Sequence, residues 1–192
     1  MNLRHAELPI SRTPQGGLIQ RMFRDHHGPA LTRRSGQSAL MAGTSSRVLE
    51  ALVLDERLDQ LFTMVTFDDV AAAWCRYHES KHSAIEDKDP NWWAVNLFFT
   101  QEIFRRGDLY RALLLKMVEH ASDAVLGDIG AGPLENFVSD DEDDLRWLEQ
   151  ECSTNPGFRK ALSGVWCDTF VSEATMRRLD AAAGTPVGRP QS

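Results

Sequence analysis

The sequence predicts an all-α fold: a compact multi-helix bundle of about seven helices with short loops, possible also as a helical-hairpin repeat-like stack. Apolar residues recur at helical spacing from residue 47 to residue 184, and side chains that start helices stand just before those stripes. No segment between turn signals alternates apolar and polar residues over the length of a strand.

Ser45 and Ser46 suit an N-cap, and Val48, Leu49, Leu52, Leu58, Leu61, Phe62 and Val65 then mark one face of a first helix. Thr66-Phe-Asp-Asp69 reads as a capping box, opening a second helix that buries Val70, Trp74 and Tyr77. Asp89-Pro90 is a cap followed by proline at N1, where its missing N–H costs nothing. The third helix starts there, aligns Trp92, Val95, Phe99 and Ile103, and ends near Gly107. Asp108 caps a fourth, with Leu109, Leu113, Lys116, Met117 and His120 along one stripe.

Gly127, Gly130 and Gly132 permit a tight turn around which helices pack closely, and Pro133 restarts a helix. Ser139-Asp-Asp-Glu-Asp-Asp144 charges the start of a helix carrying Leu145, Leu148 and Cys152. Asn155-Pro156 opens the next, with Phe158, Leu162, Val165 and Trp166 expected inside. Ser172 caps the last helix, in which Met176, Leu179 and Ala183 line up before Gly184 stops it.

Three regions follow: a basic arm over 1–46 with the Pro and Gly content of a disordered segment, a single α-helical domain over 47–184, and a disordered tail over 185–192. The arm carries six Arg against Glu7 and Asp25, which leaves 15 bases against 26 acids in the remainder. That acidic body disfavours binding to nucleic acid, which is driven by Lys and Arg displacing counterions from phosphates. No stretch approaches the roughly 18 apolar residues of a membrane span. Cys75, Cys152 and Cys167 are too few and too far apart for a disulfide framework, so reduced thiols in a cytoplasm are expected.

Asp68-Asp-Val-Ala-Ala-Ala-Trp74, Tyr77-His78, Trp92-Trp93, Ile129-Gly-Ala-Gly-Pro-Leu-Glu135, Asn155-Pro-Gly-Phe158 and Val165-Trp166 occur in that order. Together they resemble an uncharacterised bacterial helical domain family, a domain of unknown function with an LGAGPLEDLL-type motif, over residues about 66–183. The resemblance implies a fold and no reaction. The chain departs from the family where Phe137-Val-Ser-Asp-Asp replaces an LL-x-x-H-G segment.

His78-Glu-Ser-Lys-His82 matches H-E-x-x-H, which on a helix sets two imidazoles one turn apart for zinc and a glutamate, Glu79, to deprotonate the bound water. Glu102 is the candidate third ligand and His120 a second option. Against this, Lys81 puts a cation between the ligands and Ser83 to Lys88 reads as a helix running out into a polar loop. The glycine segment lacks the preceding strand of a phosphate loop, the acidic run lacks EF-hand spacing, and Cys75 has no orienting partner beyond Glu79. Trp74, Trp92 and Trp166 fall on apolar stripes and are expected in the core. Trp93 and Trp147 fall off them and are candidate anchors for a partner.

The expected function is a non-enzymatic bacterial helical module of accessory, defence or immunity type that binds another protein, a basic one by charge, without a cofactor. The alternative is a zinc metalloprotease built on His78, Glu79, His82 and Glu102.

Overall fold

The computed structural model describes residues 45–80, 89–167 and 171–188, and every regular element among them is helical. The first apolar stripe forms two helices, α1 (Ser46–Leu54) and α2 (Leu58–Met64), where one was expected. Between them the Glu56 N–H donates to the Val53 carbonyl and the Arg57 N–H to the Leu52 carbonyl, with Glu56 at φ 53°. This is a Schellman closure with glutamate at the left-handed position that glycine usually takes. The reversal brings Leu58 and Leu61 into the core that also holds Leu49, Leu52 and Val53.

Helix α3 (Phe67–Glu79) starts on the expected capping box. Thr66 Oγ1 accepts from the Asp69 N–H at 3.1 Å, and Asp69 Oδ2 accepts from the Thr66 N–H at 2.9 Å. Together the two bonds satisfy donors that a helix start leaves orphaned. The expected helix from Pro90 to Gly107 is instead split into α4 (Trp92–Leu97) and α5 (Gln101–Phe104), and Gly107 begins α6 (Gly107–His120) rather than ending its predecessor. Thr100 Oγ1 donates to the Leu97 carbonyl at 2.9 Å, and the backbone at Thr100 is extended. Its hydroxyl competes with the helical ladder for that acceptor. The break reverses two neighbours: Phe98 is 2% exposed and Phe99, expected on the core face, is 68% exposed.

The glycine segment is continuous helix rather than a turn. It comprises α7 (Leu126–Ile129), a π turn (Gly130–Leu134) and α8 (Glu135–Phe137). Pro133 lies inside it, and the Glu135 N–H bonds back five residues to the Gly130 carbonyl. Beyond it come α9 (Glu142–Thr154), α10 (Pro156–Leu162) and α11 (Glu173–Ala183). Asp141, Asn155 and Ser172 each cap with a side-chain oxygen, and Gly184 closes α11 at φ 71°.

Helix α3 packs most extensively on α6, α1 on α4, and α9 on α11. A run of aromatic rings joins the two ends of the bundle: Phe98 to Tyr110, Tyr110 to Phe137, Phe137 to Trp147 and Trp147 to Phe158, with centroids 5.2–5.6 Å apart. The Tyr110 hydroxyl, buried in this run, donates to the Pro133 carbonyl at 2.7 Å. That bond ties the π turn to α6. No helix among the described residues is long and apolar enough to cross a membrane.

Candidate functional site

Where α3, α4 and the π segment meet, they enclose an open cleft of about 250 Å³. Trp74 and His78 come from α3, Phe98 and Phe99 from the end of α4, and Asp128 and Asn136 from the glycine segment and its continuation. Each position has a local cause. The capping box sets the start of α3 and hence the phase that turns Trp74 and His78 to one side, since residues four apart share a face. The Thr100 break delivers Phe99 to the lip. The π turn widens the helical path beside Asp128 and Asn136, and such turns recur at functional sites.

Within the cleft the His78 ring lies on Trp74, with centroids 3.8 Å apart and planes 24° from parallel, and meets Tyr77 edge-on at 5.2 Å. His78 Nδ1 stands 3.5 Å from Asp128 Oδ2. A carboxylate at one ring nitrogen fixes how the ring is turned. Asp128 is the residue that sequence reasoning missed. It is fifty positions from His78, and its only sequence signal is that it stands inside the glycine segment.

The expected metal ligands are distributed over separate assemblies. His78 and Glu79 occupy the last turn of α3, whose C-cap is Ser80, and His82 lies outside the described residues. Glu102 accepts from Arg106 at 2.9 Å, and Arg106 also reaches Asp59 at 2.6 Å. His120 sits with Asp68 at 2.9 Å, where Lys116 also approaches at 3.2 Å. Burial works to raise the Asp68 carboxyl, but its bonds to His120 and Lys116 outweigh this and hold it below the usual range. Among the described residues no three His, Cys, Asp or Glu side chains converge as a metal site would need.

The three cysteines are buried, and burial pushes the thiols of Cys75 and Cys152 up to about 11, far from the thiolate a nucleophile requires. The acidic run is also committed to structure. Asp140 accepts from the Ser172 N–H and the Thr175 hydroxyl, Asp141 caps α9, Glu142 pairs with Arg178, and Asp144 with Arg111.

Trp74 is buried as expected, but the other tryptophans are placed less simply. Trp93, a candidate partner anchor, is 3% exposed, while Trp166, expected in the core, is 56% exposed. With α4 ending at Leu97, its buried residues are Trp93, Ala94, Val95 and Leu97, followed by Phe98, so Val95 and Ile103 lie inside as predicted while Trp92 is only half-buried. Trp166 follows the end of α10, where helical periodicity no longer applies, and its backbone N–H donates to the Glu135 carboxylate. Trp147 is half-buried between Phe137 and Phe158, with the Arg111 guanidinium 5.5 Å from its ring centroid.

Of the predicted turn residues, Gly130 alone has no room for a side chain. A Cβ there would stand 2.2 Å from the Ala161 carbonyl oxygen, whereas at Gly127 and Gly132 it would meet nothing within 4 Å.

The model of one protein family, a family of unknown function, matches residues 81–186, more than half of the chain. No curated protein and no solved structure matches the chain significantly. The matched region contains Phe99, Asp128 and Asn136, while Trp74 and His78 precede it.

Proposed function

The chain belongs to the family of unknown function DUF6869, and from that starting point we propose that it is a non-enzymatic protein-binding module acting in a bacterial cytoplasm. Its partner is basic and docks over the cleft between α3, α4 and the π segment. The observation that carries the reading is Phe99, 68% exposed at the lip of that cleft. Large exposed aromatics beside concave sites are the residues that anchor interfaces, because they bury much area at low entropic cost.

Size and charge favour the same occupant. A cleft of about 250 Å³ falls below the roughly 300–1,000 Å³ typical of sites for whole small molecules, and suits one side chain of a larger partner. The chain carries a net charge of −7, which draws a basic partner into encounter. Of the two tryptophans offered as anchors, Trp147 is half-buried and stays a candidate contact, whereas Trp93 lies inside.

The test compares the full chain with Phe99→Asp as immobilised baits in native lysate, after confirming equal melting temperatures. A stoichiometric, basic protein held by the first and released by the second is expected. Equal recovery by both baits, or none by either, overturns the reading.

A further inference from the structure

We propose that the outer face of α1 is a self-association surface, on which a second copy of this chain docks with its own α1 antiparallel. The inner face of α1 buries Leu49, Leu52 and Val53 in the core. The outer face is not the polar one that a surface helix usually turns to water. From Ser46 to Asp55 the exposed residues are Arg47, Val48, Ala51, Leu54 and Asp55, with Val48 47% and Leu54 65% exposed. At 3.6 residues per turn all five lie within about 60° of Ala51. Three apolar side chains thus form one stripe with a charge at each end.

The order of that stripe is symmetric about Ala51. Val48 precedes it by three residues and Leu54 follows it by three, while Arg47 precedes it by four and Asp55 follows it by four. A two-fold axis through Ala51 therefore sets Val48 of one copy on Leu54 of the other, and Arg47 on Asp55, each twice. This is the isologous contact of a closed dimer. The small Ala51 side chains meet at the crossing, where they let the helices approach to about 8 Å. A parallel copy would oppose like charges. A partner carrying one sign of charge would be repelled at one end of the stripe, whereas an antiparallel second copy satisfies both ends.

The two charges also stand where α1 itself gains nothing from them. Arg47 is in the first turn, at the positive end of the helix dipole, and Asp55 is the C-cap, at the negative end, so each opposes the dipole. The other acids of this region are used internally: Glu50 accepts from Asn96, and Glu56 from the Gln101 N–H. Among the described residues no ion pair engages Arg47 or Asp55, and antiparallel docking supplies each with a counter-ion. A nine-residue helix is only about 14 Å long, so the contact belongs with small, transient interfaces and a dissociation constant of roughly 100 µM is expected. None of the five residues lines the cleft between α3, α4 and the π segment, so the two surfaces can be tested apart.

Sedimentation velocity of the full chain from about 10 µM to about 1 mM, a range that brackets the midpoint of so small a contact, is expected to show a reversible monomer–dimer equilibrium. Arg47→Glu and Asp55→Arg each make the facing charges alike, and each is expected to weaken self-association roughly tenfold or more. Both changes agree with the helix dipole, so both variants are expected to stay folded. Mixed in equal amounts, the two variants present opposite charges to each other at both contacts, and a heterodimer about as tight as the unmodified dimer is expected. A monomer at every concentration overturns the inference and leaves the stripe to another occupant. So does a dimer indifferent to the single changes, or a mixture that associates no better than its components.

Discussion

Gly130 lies against Gly164 with no space for a methyl group between them: a Cβ on Gly130 would stand 2.9 Å from the Gly164 Cα and closer still to the Ala161 carbonyl. The atoms in the way are backbone, so they cannot swing aside as a side chain would. Gly130→Ala is therefore expected to destabilise the fold by about 2 kcal/mol or more, as overpacking a close contact does. Gly127→Ala and Gly132→Ala, with open space around the new methyl, are expected to be neutral or to gain up to about 1 kcal/mol in helix propensity. Urea denaturation of the three variants separates these outcomes. Equal effects would show that the helix crossing is looser than described.

Glu56 gives a second comparison. It holds a left-handed conformation that disfavours side chains, yet its Oε1 accepts from the Gln101 N–H at 3.0 Å and so caps α5. Glu56→Gly loses the cap and relieves the backbone, so the two effects largely offset. Glu56→Ala loses the cap and keeps the strain. The alanine variant is expected to be the less stable of the two by about 1 kcal/mol, measured from thermal or urea midpoints.

The break after Leu97 predicts opposite results at adjacent phenylalanines. Phe98→Ala should cost about 3–5 kcal/mol as a core truncation, while Phe99→Ala should leave stability within about 0.5 kcal/mol. A continuous helix through this region would place Phe99 inside and reverse the order.

Acid should unfold the protein through its paired carboxylates. Hydrogen bonds from Arg106 hold the Asp59 carboxyl below its usual value, and those from Arg178 do the same for Glu149 and Glu142. A group whose pKa is lower folded than unfolded stabilises the fold above its unfolded value, near 3.8 for Asp and 4.5 for Glu, and that contribution disappears as pH falls through the folded value. Stability is thus expected to be steady from pH 7 to about 5 and to decline below about 4.5. Glu151, raised by burial, acts in the opposite direction and moderates the decline. In Arg178→Met the Glu149 and Glu142 contributions vanish, so stability at pH 7 falls and its remaining dependence on acid is shallower. Urea midpoints at pH 7 and pH 3.5 for both proteins check this.

The helix starts and stops set by a capping side chain or a left-handed glycine were legible in the sequence because their chemistry is local. Thr66 with Asp69, Asn155 before Pro156, Ser172, and Gly184 all make the bonds or adopt the conformation that their residue types favour over one turn. The all-α class was equally open to reading, since periodicity reports which face is buried. What stayed hidden depends on partners far along the chain. The phase of α4 turns on a threonine that bonds backward to Leu97, and that choice moved Trp93 inside and Phe99 outside. The π turn replaced an expected loop because Tyr110 and Gly164 support it from elements distant in sequence. In the cleft, His78 was visible as part of a zinc motif, but its observed neighbour Asp128 belongs to a segment that sequence reasoning had assigned to packing alone.

The packing of α3 on α6 bears on how the protein should be cut for study. Residues 81–186, the stretch that defines the family match, begin after α3 ends, yet Leu113, Leu114 and Met117 of α6 are fully buried in a core completed by Val70, Ala71 and Trp74 of α3. A fragment trimmed to those limits would present a bare oily stripe to water and would be expected to clump during expression. The smallest useful piece must reach back to the Ser45 cap, so here the matched stretch and the unit expected to fold have different borders.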